Sequence, residues 1–205
     1  FMRDMADKQP TDEEIKKTAN ELETNGIKTV VVENGKEAKA KVIEMLPVNA
    51  EVFTMTSMTL ETIGLEKEIN ESGNYNALRP KLFAMDRNTQ SREMAKLGAA
   101  PDWVVSSVHA ITENGHLIIA SNSGSQLSAE AFAGGKVIFV AGTQKIVKND
   151  KEGLARIYEH TYTLEDERAQ KAYGMHSGVN KILIVNKEVV PERITLILVK
   201  EKLGF

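Results

Sequence analysis

The sequence predicts an α/β domain built on a mostly parallel sheet. Three observations predict it. Continuous apolar, β-branched runs such as Ile27–Val32 and Lys136–Ala141 suit strands buried on both faces. Helical patterns alternate with these runs at the spacing of βαβ units. Several strands run directly into loops rich in glycine and hydroxyl groups. A chain of 205 residues with 41% hydrophobic and 27% charged residues can bury the core of one such domain.

The elements follow in order. Thr11–Asn25 reads as a helix: Thr11 or Asp12 caps it, Glu13 and Glu14 suit its positive end, and Gly26 ends it. Ile15, Ala19 and Leu22 share one face, so the helix docks on the core. Residues 1–26 are read as a helical extension and 27–205 as the domain. Ile27–Val32 is a strand, Lys36–Leu46 a helix ended by Pro47, and Glu51–Met55 the next strand. Ser57 and Thr59 follow at a strand-to-helix junction, where they cap the helix, hold an anion, or do both. Glu66–Glu71 is a short helix. Ser72–Arg87 is broken by Gly73, Asn74, Asn76 and Pro80, and reads as a strand and connector or as a cover over the site. Asn88–Leu97 is helical. Trp103–Ser107 and Leu117–Ala120 flank Glu113-Asn114-Gly115, which reads as a type I′ hairpin turn. A short helical stretch starts at Leu127 and breaks at Gly134-Gly135, before the strand Lys136–Ala141. Asp150–Glu159 and Leu164–Ala172 are helices, the latter with Glu165–Arg168 exposed, and Gly174–Asn180 is a polar loop. Lys181–Val185 and Ile194–Val199 are strands.

The candidate site lies where two of these strands end. Ser121-Asn122-Ser123-Gly124-Ser125-Gln126 follows one, and Gly142-Thr143-Gln144-Lys145 follows the other. If the Leu117 and Val137 strands are parallel neighbours, both loops share the carboxyl edge of one sheet, where open α/β sheets bind ligands. Ser121, Ser123, Gly124, Ser125 and Gln126 then present hydroxyls and backbone N–H groups to an anion. Gly142, Thr143 and Gln144 line the second loop. Lys145 either neutralises a bound carboxylate or phosphate or is a solvated surface lysine. His109 is a candidate general base with a pKa near neutrality, or a hydrogen-bonded structural residue. Glu113 is a weaker catalytic candidate at the hairpin tip. Asn180 and Lys181 precede a strand, which places them at the opposite edge unless the 174–180 loop folds back.

Composition excludes several function classes. A net charge of −3 gives no nucleic-acid footprint. Apolar runs such as Val137–Ala141 fall far short of the roughly 20 residues of a membrane span. Phe1-Met2-Arg3-Asp4 has no charged-then-apolar signal pattern, so a cytoplasmic location is expected. There are no cysteines, hence no thiolate-held zinc or iron–sulfur cluster, and the four histidines show no paired metal spacing. Neither GxxxxGK[ST] nor GxGxxG occurs, so no nucleotide cofactor is identifiable. The serines also lack the GxSxG elbow.

The run WVVSSVHAITENGHLIIASNSGSQ at Trp103–Gln126, followed by VIFVAGTQKIV at Val137–Val147, resembles the lactate-utilisation (LUD) domain family. The resemblance extends to Ser57–Leu60, Ile63-Gly64, Arg156-Ile157, Leu164-Glu165, Asn180-Lys181 and the terminal Glu201–Phe205. It implies a three-layer, Rossmann-like, mostly parallel sheet of the ribose-phosphate isomerase/CoA-transferase-like type. It also implies participation in iron–sulfur-dependent oxidation of L-lactate to pyruvate, the role of one branch of the family. The chain departs from sugar-phosphate isomerases of this fold, which carry a Lys-Gly-Gly-Gly loop where Ala120–Gly124 stands here. It also lacks the cysteine-rich segments of longer family members. The electron carriers of lactate oxidation would then belong to iron–sulfur protein partners. Alternatively, the chain is a free-standing enzyme or binding protein for a phosphorylated or CoA-like small molecule. The implied partners are a small anionic ligand and iron–sulfur proteins, with homo-oligomerisation open and neither nucleic acid nor membrane involved.

Overall fold

The computed structural model describes residues 9–205; the segment read for a leader signal, and the first eight residues of the helical extension, lie outside them. Helix α1, Asp12–Thr24, starts at a capping box in which Thr11 Oγ1 accepts the Glu14 N–H and Glu14 accepts the Thr11 N–H. The chain continues through β1 (Lys28–Val32), α2 (Gly35–Met45), β2 (Glu51–Thr54), α3 (Met58–Thr62) and α4 (Leu65–Glu71). The stretch 72–87 resolves into a two-residue edge strand, β3 (Asn76–Ala77), and α5 (Leu78–Ala84). Then come α6 (Arg87–Ala99), β4 (Trp103–Ser106), β5 (Ala110–Thr112), β6 (Leu117–Ser121) and β7 (Lys136–Gly142). A 3₁₀ turn, Thr143–Lys145, leads to β8 (Ile146–Val147), α7 (Asp150–Arg156) and α8 (Tyr162–Tyr173). The chain closes with β9 (Lys181–Val185) and β10 (Ile194–Val199).

Six strands form a fully parallel sheet in the order β1-β10-β7-β4-β2-β3. The alternation along β7 shows why this sheet is central. Val137, Phe139 and Ala141 pack into one core, while Ile138 and Val140 pack into another on the opposite face. The second core is closed by α2, α3 and α4 through Ala38, Val42, Leu60 and Leu65. The first is closed by Ile15 and Leu22 of α1 and by Ile111, Leu117 and Ile119 of a second sheet. Helix α1 therefore shares the core of the parallel sheet.

That second sheet has the order β8-β5-β6-β9 and corrects two expectations. The Leu117 and Val137 strands are not parallel neighbours: β6 lies between β5 and β9, whereas β7 lies between β10 and β4. The Trp103 run is not the partner of the Leu117 run in a hairpin either. It is β4 of the parallel sheet, and the hairpin is the short β5 paired with β6, Ala110 opposite Ile118 and Ile111 opposite Leu117. The chain leaves the first sheet at Ser107–His109 and re-enters a sheet at Ala110. The turn also differs from type I′, which needs two positive φ angles. Only Gly115, at φ +81°, has one, and its N–H donates to Thr112 O at 2.8 Å. The outer face of the second sheet is covered by α7 and the π-helical turn Ile157–Thr161, which pack Leu154 and Ile157 against Ala110 and Ile118. The stretch after Leu127 is likewise a π-helical turn, Ala129–Ala133, closed at Gly134. No helix of the described residues is long and apolar enough to cross a membrane.

Candidate functional site

A cleft of about 1010 Å³ opens between the two sheets, at the carboxyl ends of β2 and β4 and beside the end of β6. Its floor carries Met55–Thr59 and Ser106–His109, the latter being the segment that crosses from one sheet to the other. One wall is the Ser121–Gln126 loop with α8, and the other is formed by α5 and α6. The stretch 72–87 thus contributes α5 to one wall of the site.

Lys145 enters this cleft because its 3₁₀ turn carries the chain from β7 of one sheet to β8 of the other. The turn is fixed by the three residues before the lysine, which do not line the cleft. A Cβ on Gly142 would collide with Glu201 O, so only glycine lets the C-terminal segment approach. Thr143 Oγ1 donates to Gln9 Oε1 at 2.6 Å, and Gln144 Nε2 to Leu203 O at 2.9 Å. Gly142, Thr143 and Gln144 therefore position Lys145 and tie down the C-terminal segment. Lys145 itself is 3% exposed, so it is not a solvated surface lysine. Its Nζ donates to Thr59 Oγ1 at 3.1 Å, Ser107 Oγ at 3.1 Å and Val108 O at 3.0 Å. None of these acceptors is a carboxylate. Burial, and then the charge of Arg156, push its pKa down to about 7.

Thr59 is held in turn by donating to Leu203 O at 3.2 Å, and Ser57 Oγ accepts the Leu60 N–H at 3.4 Å as the cap of α3. Ser57 is thus spent on capping, while Thr59 is shared with the lysine. His109 is half-buried and lines the cleft. Its Nδ1 accepts the Ala120 N–H at 3.1 Å, which leaves its proton on Nε2. Burial, then Lys145, then Arg156 lower its pKa to about 3. It is neutral at pH 7 and far too weakly basic for the near-neutral role expected of it. Arg156 donates to His109 O at 2.8 Å and to Thr161 Oγ1 at 2.9 Å. Glu113 stands outside the cleft, at the hairpin tip, in an ion pair with Lys17 of α1 at 3.2 Å.

The Ser121–Gln126 loop lines the same cleft as Lys145, although its strand belongs to the other sheet. It is internally bonded. Ser121 Oγ accepts the Gly124 N–H at 2.8 Å and donates to Gln126 Oε1 at 2.9 Å, and Ser123 Oγ accepts the Ser125 N–H at 3.3 Å. Asn180 and Lys181 sit on this loop, not at the far edge. Strand β9 runs antiparallel to β6, so its start meets the end of β6. Lys181 Nζ donates to Ser123 O, and Asn180 Nδ2 to Asn122 Oδ1 at 2.7 Å.

Residues not singled out from sequence complete the site. Ser107 belongs to a run that gives no chemical signal alone. Ser106, also on the floor, donates to Glu130 Oε1 at 2.7 Å, and burial drives the Glu130 pKa up to about 8. Arg79, Arg87, Arg92 and Arg168 line the walls. Arg79 pairs with Glu66 at 3.0 Å and Arg168 with Glu165 at 2.7 Å. Among the described residues no group of His, Asp and Glu has the arrangement of a metal site.

A parallel sheet backed by helices, a smaller mixed sheet facing it and a cleft at the junction define an α/β protein with its candidate site at the carboxyl edge. Residues 15–199 match the LUD domain family, and the chain belongs to that family. Its fold is also that of a crystal structure of a DUF162 family protein from Deinococcus radiodurans, with a TM-score of 0.56 at 14% identity. That match covers 93% of this chain and 99% of the other. No curated protein matches the chain.

Proposed function

We propose that this protein serves lactate utilisation as a non-redox component that binds a small carboxylate at Lys145, with electron carriers supplied by iron–sulfur protein partners. The observation that carries the reading is a buried lysine on the floor of a cleft, hydrogen-bonded among the described residues only to neutral oxygens. A buried cation without a carboxylate partner is costly, and an anionic ligand would offset that cost. Arg156 adds to the same positive field. Family membership supports the lactate connection, and the absence of cysteine from the sequence is why thiolate-held clusters are assigned to partners.

The test is calorimetric titration of the purified protein with L-lactate and pyruvate. Lys145→Ala should weaken carboxylate binding tenfold or more, because one lost charged contact of about 1.4 kcal/mol already gives that factor. An unchanged dissociation constant in the variant removes Lys145 from the site.

One observation favours a second reading. The cleft is at the upper end of the roughly 300–1,000 Å³ range of small-molecule pockets, far more than lactate fills, and arginines line its walls. A phosphorylated or CoA-like ligand would use that room. Inorganic phosphate and a CoA ester belong in the same titration. Binding of these at tenfold lower concentration than either hydroxy or oxo acid would favour this alternative.

A further inference from the structure

We propose that Lys145 is a nucleophile that captures a small 2-oxo acid as an imine. The inference rests on the reading that the cleft takes a small carboxylate, and it adds a covalent step to it.

The geometry separates Lys145 from a lysine that serves only as a fixed charge. It is 3% exposed yet lines the cleft, so its amine meets a ligand without the bulk solvent that would keep it an ammonium. Its three partners are two hydroxyls and a backbone carbonyl, and none of them holds the proton as a carboxylate would. Among the described residues, the charged and titratable groups that act on it are the Arg156 guanidinium and the neutral imidazole of His109. Burial and the Arg156 charge bring its pKa to about 7, so a large fraction of the amine is neutral under ordinary conditions. The Ser107 hydroxyl can accept from an ammonium or donate to an amine, whereas the Thr59 proton is given to Leu203 O, so Thr59 acts as an acceptor for either form. Ser107 Oγ also lies 3.4 Å from Val108 O, so turning its O–H towards that carbonyl frees the nitrogen lone pair. Because the cleft is read as taking a small carboxylate, the substrate is one whose carbonyl has a carboxylate beside it.

In the step itself, the amine lone pair adds to the carbonyl carbon and the C=O π pair moves onto oxygen. A proton passes from nitrogen to that oxygen, with Ser107 placed to relay it, giving a carbinolamine. The nitrogen lone pair then expels hydroxide, which leaves as water after taking one proton from solvent. The product is a protonated imine between Lys145 and the acid, and nothing is oxidised or reduced.

The experiment incubates the full chain with pyruvate and sodium cyanoborohydride, which delivers hydride to imines, followed by intact mass and peptide mapping. A single adduct is expected, heavier by one pyruvic acid less one oxygen atom and located on Lys145. Its yield should rise severalfold between about pH 6 and about pH 8, as the amine loses its proton. L-Lactate, with no keto group, should give none. Lys145→Arg, which keeps a cation but loses the amine, should give none either. No adduct, an adduct spread over surface lysines, or an equal adduct in Lys145→Arg overturns the proposal. Calorimetric binding of pyruvate without an adduct overturns the imine and leaves the carboxylate reading standing. Failure of both lactate and pyruvate to bind, with no adduct, removes that reading as well.

Discussion

Replacing Glu130 by Gln should change how stability depends on pH, because this carboxyl is wholly enclosed and, among the described residues, its oxygens pair with no cation. Its Oε1 accepts the Ser106 O–H at 2.7 Å, while Oε2 is buried without a hydrogen-bond partner. The nearby guanidinium of Arg193 is directed to backbone carbonyls, bonding Glu130 O at 2.8 Å, Ala131 O and Gly134 O. Burial therefore dominates, and the pKa climbs from 4.5 to about 8 despite the Ser106 contact. Between these values the native state holds a proton that the unfolded chain has released, so stability falls as pH rises. The stabilisation is complete below about pH 4.5, is lost as pH rises to about 8, and amounts to about 5 kcal/mol in all. The amide introduced by Glu130→Gln would keep an acceptor for Ser106 and cannot ionise. Urea denaturation at a series of pH values gives the stability of each protein. The variant should match the wild type near pH 5 and exceed it by several kcal/mol near pH 9. His109 and Lys145 also tilt the curves, but both are present in both proteins and cancel in the difference. Parallel curves for the two proteins would mean that Glu130 is ionised in the fold and would refute the reasoning.

Lys145→Met should tilt stability the other way. The native lysine releases its proton near pH 7 and the unfolded one near 10.5, so wild-type stability rises through that window, by about 5 kcal/mol, and the variant's should not; chemical denaturation at pH 7 and 10 reads the difference. Arg193→Ala leaves three backbone carbonyls and the buried Glu188 carboxylate, now 2.7 Å from the guanidinium, without their partner. It should cost roughly 3–5 kcal/mol, measured as a lowered urea midpoint with an unchanged slope. Gly115→Ala puts a Cβ 2.6 Å from the Glu21 backbone at a residue with φ +81°. It should cost roughly 1–3 kcal/mol and raise amide exchange at the end of α1, where Asn25 Nδ2 holds Asn114 O and Gly115 O.

Local chemistry makes much of this protein readable from its sequence. The α1 cap at Thr11, the break at Gly134, the apolar strand from Lys136 and the final strand Ile194–Val199 each follow from residues close in sequence. The parallel central sheet also follows, because only strands covered on both faces tolerate runs as uniformly apolar as β7 and β10. Which sheet a strand joins is a different kind of fact. Strands β4 and β6 are comparably apolar, yet one pairs with β2 and β7 and the other with β5 and β9. Only long-range pairing separates them, and no local pattern encodes it. The misassigned hairpin and the misplaced Asn180-Lys181 pair follow from that one ambiguity.

The candidate site divides along the same line. Lys145, Thr59 and the Ser121–Gln126 loop stand out in sequence because lysine and hydroxyls at strand ends suit anions. That they line one cleft, with Ser107 added and Glu113 excluded, depends on two sheets packing face to face. Protonation is more distant still from sequence. His109, Glu130 and Lys145 carry ordinary side chains whose charge states are decided by desolvation and, for His109 and Lys145, by Arg156. Burial of a charged group is a property of the packed interior, which exists only once the chain has folded.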